Sequence, residues 1–487
     1  MTRAAGRLEG VGSADLLTAG LVASAAAAGA VFSWSAFAYD VLALPAVLIF
    51  AALAVATIQR PEIGVAAAFL MVPLGNLRFY GITPWWPVTA WAVFVLLISA
   101  WHAFSRRDTR RGAPLLAGSL VLYLAATALA FAVAAGAETA RAPLRSLVTG
   151  LLLFGATTLS IRERRQIPWV LAGISGGALL AGAYAAYQGA TGFTGSEGFV
   201  TESGEIVHRV TAGFAHPNAL GGFLVQLVPF VMAGLLIARR ARPLHAVALA
   251  FALAGLYLSF SRSAVVALLL VPFFFVHRRQ ALLAVPLIAV FVLFAAPDLS
   301  RERFATLTES GAEFASRSDI WRTATSVWSE HPVTGVGLGE FPGAYAESRI
   351  PGKQFLPNTT LQPPPHAHNV FLQNLSEQGL IGLVALLVVI GLAAHAALTL
   401  RRCDDRMLSL VGSAGLAFLT AFLIHNQFDV TPLEGTGIYF WALLGVLSAA
   451  SGIARGGETE WQQRLARRNA RGEGQGGFHS RSRYPPA

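Results

Sequence analysis

Cysteine is almost missing from this chain, and charge is scarce. Of 487 residues one is a cysteine, Cys403, and 13% are charged. A single thiol forms no internal disulfide and no thiolate cluster, so a disulfide framework and a cysteine-based metal site are both excluded. No internal repeat is visible, and no parallel βαβ context surrounds the glycine run Gly335-Val336-Gly337-Leu338-Gly339, which therefore reads as a turn and not as a nucleotide loop. What fills the chain instead is apolar sequence: 55% of residues are hydrophobic and long apolar runs recur throughout. That composition defines an all-α polytopic membrane protein.

The net charge of +10 would point a soluble chain toward nucleic acid. Here the basic residues sit in short clusters between apolar runs, so they set topology, and no nucleic-acid partner is expected. Arg3 and Arg7 precede an apolar run over 16–32 that reads as a first span and not as a cleaved signal peptide. Further spans are expected near 40–58, 62–76, 84–104, 114–135, 144–161, 168–187, 217–238, 243–259, 263–277, 280–296, 378–398, 407–425 and 436–453, about 12–14 transmembrane helices in all. With the N-terminus inside, alternate connections carry Arg60, Arg106-Arg107, Arg162 to Arg165, Arg239-Arg240, Arg278-Arg279 and Arg401-Arg402, as the positive-inside rule requires. The chain divides into N-terminal spans over 1–200, a second membrane region over 201–454, and an Arg- and Gly-rich tail over 455–487 expected to be disordered, cytoplasmic and facing lipid headgroups.

Two connections on the opposite, extracytoplasmic side are long: 189–216 and, largest, 297–367. Within the larger loop Ser318-Asp319 can cap a short amphipathic helix whose Ile320, Trp321, Ala324, Val327 and Trp328 share a face, and which ends at His331-Pro332. The loop closes on Pro363-Pro364-Pro365-His366-Ala367-His368-Asn369, where the chain turns helical. Asn369, Gln373, Ser376 and Glu377 then line one face at helical spacing. A polar stripe at a membrane boundary marks a candidate site.

Arg262 stands between two apolar spans with no acidic residue in either. A charge at that depth costs about 2.5–3.5 kcal/mol, so it either faces a cavity or an anionic ligand, or snorkels from a tight hairpin. Arg317 and Arg322 offer guanidinium forks suited to phosphate oxygens, or are surface arginines of a polar loop. His216-Pro217-Asn218 opens a span, as a cap or as a polar group turned into the site. His366 and His368 lack further ligands at metal-binding spacing, so no metal is assigned. His368 makes better sense as a proton acceptor. Glu377, about 13 Å further along the helix axis, braces other polar groups. His425-Asn426-Gln427-Phe428-Asp429 adds polarity on the same side.

The chain resembles the bacterial O-antigen ligase and O-antigen polymerase superfamily of lipid-linked glycan transferases. The resemblance covers roughly 210–430. It rests on Gly213-Phe214-Ala215-His216-Pro217-Asn218, Ser261-Arg262, Ser316-Arg317-Ser318-Asp319-Ile320-Trp321, His331-Pro332-Val333-Thr334-Gly335-Val336-Gly337, and His366-Ala367-His368-Asn369 followed by Glu377-Gln378-Gly379. It implies a multi-pass protein of the bacterial inner membrane with its active site facing the periplasm. The implied partners are an undecaprenyl-diphosphate-linked glycan as donor and a glycan, lipid or protein as acceptor, with no cofactor and no metal. His368 takes the position of the essential histidine, Arg262 that of the membrane arginine and Arg317 that of the loop arginine. Two other classes compete: a transporter of a small anion such as bicarbonate, which has no use for so large a loop, and a non-catalytic assembly subunit, for which Arg262 would be an unexplained cost.

Overall fold

A computed structural model of the chain describes residues 43–75, 85–105, 112–192, 198–200, 206–275, 311–348, 366–430 and 437–470. The apolar runs at 16–32 and 280–296, and the end of the tail from 471, lie outside the described residues.

The described helices are α1 (Ala43–Gln59), α2 (Pro61–Gly75), α3 (Trp85–Ser105), α4 (Pro114–Val133), α5 (Ala137–Ser160), α6 (Ile167–Thr191), α7 (Pro217–Ile237), α8 (Arg242–Leu258), α9 (Arg262–Leu270), α10 (Gly311–Glu330), α11 (Phe341–Glu347), α12 (Val370–Arg401), α13 (Arg406–His425) and α14 (Gly437–Ala470). Nine stretches among them are long and apolar enough to cross a membrane. The fold is thus an all-α, multi-pass membrane bundle, as the composition requires. Leu380, Val384 and Leu387 on α12 and Leu115, Val121 and Leu122 on α4 turn outward, as lipid-facing side chains do. The expected span at 263–277 is instead α9 followed by a 3₁₀ turn over Val271–Phe274, because Pro272 interrupts the helix before it reaches bilayer length.

α7 runs through the centre, packed against α6, α8 and α13, with Phe223 and Phe230 fully buried. Aromatic rings close the core between α7, α13 and α14: Phe223 meets Tyr439 at 4.5 Å and Phe422 meets Phe440 at 4.3 Å.

α12 is where the bundle departs from plain helices. Gly379 (φ 62, ψ −161) breaks it into two pieces. The turn 332–337 docks on the break: Val336 and Gly337 amides donate to the Ser376 and Glu377 carbonyls, and Leu380 and Ile381 amides donate to Pro332 and Val333 carbonyls. Backbone groups freed in an apolar setting are thereby satisfied. The approach is so close that a Cβ on Gly379 would lie 2.2 Å from the Val333 oxygen, and one on Gly335 would lie 2.3 Å from the Glu377 carbonyl carbon. On the α4 side, Tyr123 donates to Asn374 at 2.9 Å, and Thr127 to Gln378 at 3.1 Å, in a buried polar set.

Three expectations are adjusted. The loop at 189–216 contains a short antiparallel hairpin, β1 (Gly198–Val200) with β2 (Ile206–His208). α10 begins at Gly311, so Ser318-Asp319 lies inside the helix and does not cap it; Ala312, Glu313 and Ala315 are good helix formers that carry the helix further back. The tail does not become irregular at 455: α14 continues to Ala470 through a run rich in Glu, Gln, Arg and Ala, and Arg455 donates to the Gly112 carbonyl.

Candidate active site

Three helix starts and one loop converge at one end of the bundle. His216 caps α7, its Nδ1 accepting the Ala219 amide at 3.1 Å, with Pro217 in the first turn. Ser261 and Arg262 open α9. Asn369 caps α12 by accepting the Phe371 and Leu372 amides. The loop after α13 is tied in where the Val370 amide donates to the Asn426 carbonyl and Asn369 donates to Gln427. Ala212 (φ 46), Phe260 (φ 50) and His368 (φ 48) are the non-glycine residues with positive φ among those described, and each lies in the turn leading into one of these helices. Such backbone costs about 1–3 kcal/mol per residue and persists only where surrounding contacts hold it.

Inside this frame the imidazoles gather. His366 and His368 rings meet edge to face at 4.2 Å, and the His368 amide donates to His366 Nδ1. The His216 ring stands 6.2 Å from that of His366. Asp429 is 1% exposed. Its Oδ1 accepts the Val430 amide, and its Oδ2 faces His425 Nε2 at 3.4 Å. On its other nitrogen His425 pairs with Ser263, the residue after Arg262, at 3.0 Å. His216, His366 and Asp429 offer ligand atoms within 4.8 Å of one another, so these three could hold a metal ion. Linear spacing hides this set because its members come from three distant segments.

His368 Nδ1 is buried without a hydrogen-bond partner. Burial, with help from His366, Arg317 and His216, lowers the His368 pKa to about 4, against a weaker opposite pull from Asp429. The ring is therefore neutral at pH 7 and able to take a proton. Burial pushes the Asp429 carboxyl up, but His425 and the facing His216 and His366 outweigh it and hold the group well below the usual carboxylate range.

The structure brings together most of the sequence-derived candidates. Arg317 is half-buried at the cluster, its guanidinium 5.9 Å from the Phe428 ring, which also meets Trp321. Arg262 is half-buried one residue from the Ser263–His425 contact. Asn369, Gln373, Ser376 and Glu377 are all buried, as one polar face should be. Glu377 accepts the Phe341 amide and so braces the turn before α11, while Gln373 accepts the Ala367 amide between the two histidines. Arg322 is different: 74% of its side chain is exposed and its contact is Asp319 at 3.7 Å. Asn218 points not into the cluster but to Arg209 at 2.8 Å. Spacing gives no role to Arg209 or Ser263, and it reads His425 only as part of the polar run that ends at Asp429. Arg209 links Asn218 to the Ser259 carbonyl, just before Arg262, and an arginine in a glycine-rich loop gave no periodic signal of that role.

Fold and site together define a class: a multi-pass helical membrane protein with a buried imidazole–carboxylate cluster flanked by arginines at one end of its bundle. Residues 246–387 match a family model described as O-Antigen ligase, which supports the likeness of this stretch to the O-antigen ligase and polymerase superfamily and to a glycosyltransferase activity of that type. The matched stretch holds Arg262, Arg317, Arg322, His366, His368, Asn369 and Glu377. No curated protein matches the chain.

Proposed function

We propose that the chain transfers a glycan from an undecaprenyl-diphosphate-linked donor to an acceptor hydroxyl at the periplasmic face of the inner membrane. His368 is the general base, and arginines hold the diphosphate. The observation that carries the reading is the buried, bare Nδ1 of His368, kept neutral beside Arg317 within a stretch that matches O-Antigen ligase.

The acceptor hydroxyl loses its proton to His368 as its oxygen attacks the anomeric carbon. The bond from that carbon to the diphosphate breaks, and polyprenyl diphosphate leaves with the electron pair. Arg262 and Arg317 supply the positive charge that stabilises it, in place of a metal ion. A one-step displacement of this kind inverts the anomeric centre. A base with so low a pKa is weak in the empty site; a bound diphosphate beside it favours the imidazolium and strengthens it as the donor arrives. The backbone strain at His368 fits a side chain held in a set direction by its surroundings. Arg322, with 74% of its side chain exposed, is given no contact in this step. A small-anion transporter is the less favoured reading, because neither the family match nor a histidine base is needed for permeation.

The test uses purified protein in nanodiscs with a polyprenyl-diphosphate glycan and candidate acceptors. Loss of a general base costs about 10²–10⁴ in rate, so His368→Ala should bind the donor and transfer almost nothing, while His366→Ala should cost much less. Turnover by His368→Ala at the wild-type rate, or a deader His366→Ala, would remove His368 from the role.

A further inference from the structure

A second cluster of charge lies at the far end of the same helices. α5 starts beside the docked turn, where the Gly136 amide donates to Glu340, and runs for 24 residues, about 36 Å at 1.5 Å per residue. α6 runs back the other way and ends where Gln188 accepts the Thr211 and Ala212 amides, near the site. At their opposite ends, the α1–α2 junction, α3, the end of α5 and the turn before α6 surround a cavity of about 290 Å³ whose walls include Arg60, Arg162, Arg165, Glu62, Gln166 and His102.

These side chains are positioned before any ligand arrives. Both Glu62 oxygens are engaged, one by Arg60 Nε at 3.0 Å and the other by Gln166 Nε2 at 3.1 Å. Gln166 in turn accepts the Arg162 and Glu163 amides. Arg162 Nε donates to the Leu159 carbonyl, and His102 is fixed to the Ile58 carbonyl. The Arg60 guanidinium lies 4.9 Å from the Trp169 ring centre. Arg165 pairs with Glu163, but the arginine side chain remains 79% exposed, so that pair is weak and exchangeable. The walls therefore carry three guanidinium charges against the engaged carboxylate of Glu62, with Glu163 beside them as the exchangeable partner of Arg165. Trp169 and Phe104, both exposed, sit next to this opening on the outside of the bundle, where aromatic side chains meet the headgroup region.

We propose that this cavity binds a phosphate-bearing anion, with the headgroup of an anionic phospholipid as its source. Arginine forks match the oxygens of a phosphodiester, the cavity has room for such a group, and the exposed aromatics offer a surface for the acyl chains. Binding here rests on no part of the proposed reaction, some 36 Å away along α5.

Full-length protein in phosphatidylcholine nanodiscs, with or without phosphatidylglycerol, tests the proposal by native mass spectrometry of retained lipid and by thermal unfolding, with inorganic phosphate added as a separate arm. Wild type should retain phosphatidylglycerol. The Arg162→Gln/Arg165→Gln double variant should bind it about thirtyfold more weakly, from the usual worth of two arginines at a headgroup. The lysine pair should retain part of the affinity, and Arg401→Gln/Arg402→Gln, at the same end but not in the cavity wall, should bind as wild type. Stabilisation of wild type by inorganic phosphate alone, abolished in the glutamine pair, would keep the site and make a free anion its source. Equal binding of both probes by wild type and the glutamine pair would overturn the proposal. Should the double variant not fold, Arg162→Gln alone carries the test, with a loss of about fivefold.

Discussion

The two ends of the bundle set their ionisable side chains in different surroundings. At the cavity end, Glu62 and Gln166 have their polar atoms engaged by neighbours, Arg60 and Arg162 are held by a carboxylate and a carbonyl, and exposed Arg165 pairs with Glu163. At the other end a buried imidazole nitrogen of His368 makes no hydrogen bond, a buried carboxylate oxygen of Asp429 has only a 3.4 Å contact with His425, and the backbone is strained at Ala212, Phe260 and His368. Buried polar atoms without partners cost about 1–3 kcal/mol each, so folding alone does not favour their accumulation. The contrast separates an end shaped for chemistry from one shaped for holding.

The largest expected effect that would sharpen this contrast is on transfer. Arg262→Ala should lose about 10²–10³ in rate, the usual worth of a group aimed at developing negative charge, while Arg262→Lys keeps the charge without the fork and should retain partial activity. Chelation by EDTA should leave both rates unchanged. If EDTA abolishes transfer and zinc restores it, the trio of His216, His366 and Asp429 holds the charge now assigned to the arginines. A well-expressed Arg262→Ala protein with normal donor turnover would remove the arginine from the reaction.

Next in size is the helix break. Gly379→Ala places a methyl group against the Val333 oxygen at a φ of 62 that side chains avoid. The cost should be about 2–4 kcal/mol in chemical unfolding, with loss of protection of the turn 332–337 in hydrogen exchange. An unchanged unfolding midpoint would mean that the docked turn is not held by the break.

A smaller effect follows from His368. Its pKa is lowered from 6.5 to about 4 in the folded protein. As pH falls below 6.5 the unfolded chain binds a proton there that the native chain refuses, so stability drops from about pH 6.5 toward 4. His368→Asn removes that contribution, and its stability should change less with pH over this window. Identical slopes for the two proteins would place the His368 ring in water.

The sequence made the long apolar helices readable, because a run of bilayer length has few other uses. It also made one polar face readable: Asn369, Gln373, Ser376 and Glu377 at helical spacing are all buried together. The break at Gly379 was not legible, since Gln378-Gly379-Leu380 enters an apolar run without a proline, and the carbonyls that satisfy its freed amides, on Pro332 and Val333, lie nearly fifty residues earlier. Nor was the contact between Ser263, His425 and Asp429, which needs the end of α13 to pack on α9 and the chain after it to turn Asp429 back to His425. The early start of α10 was missed because a good capping pair, Ser318-Asp319, sits within a segment that is itself helix-forming. Local signals locate elements; the distant partners that complete a site leave no local trace.

The smallest effect belongs to the cavity end and tests whether its ion pairs matter. Arg164 meets Asp405 at 2.8 Å, joining the turn before α6 to the turn before α13, with 57% and 20% of the two side chains exposed. Exposed pairs contribute about 0–1 kcal/mol, so Arg164→Ala should shift stability by less than that and leave transfer untouched. Asp405 has a second task, because its Oδ1 accepts the Met407 and Leu408 amides and caps α13. Asn caps nearly as well as Asp but carries no charge, so Asp405→Asn should resemble Arg164→Ala, whereas Asp405→Ala should cost about 1 kcal/mol more. If Asp405→Asn proves as costly as Asp405→Ala, the charge and not the cap holds these turns together, and the cavity end depends on its ion pairs more than their exposure allows.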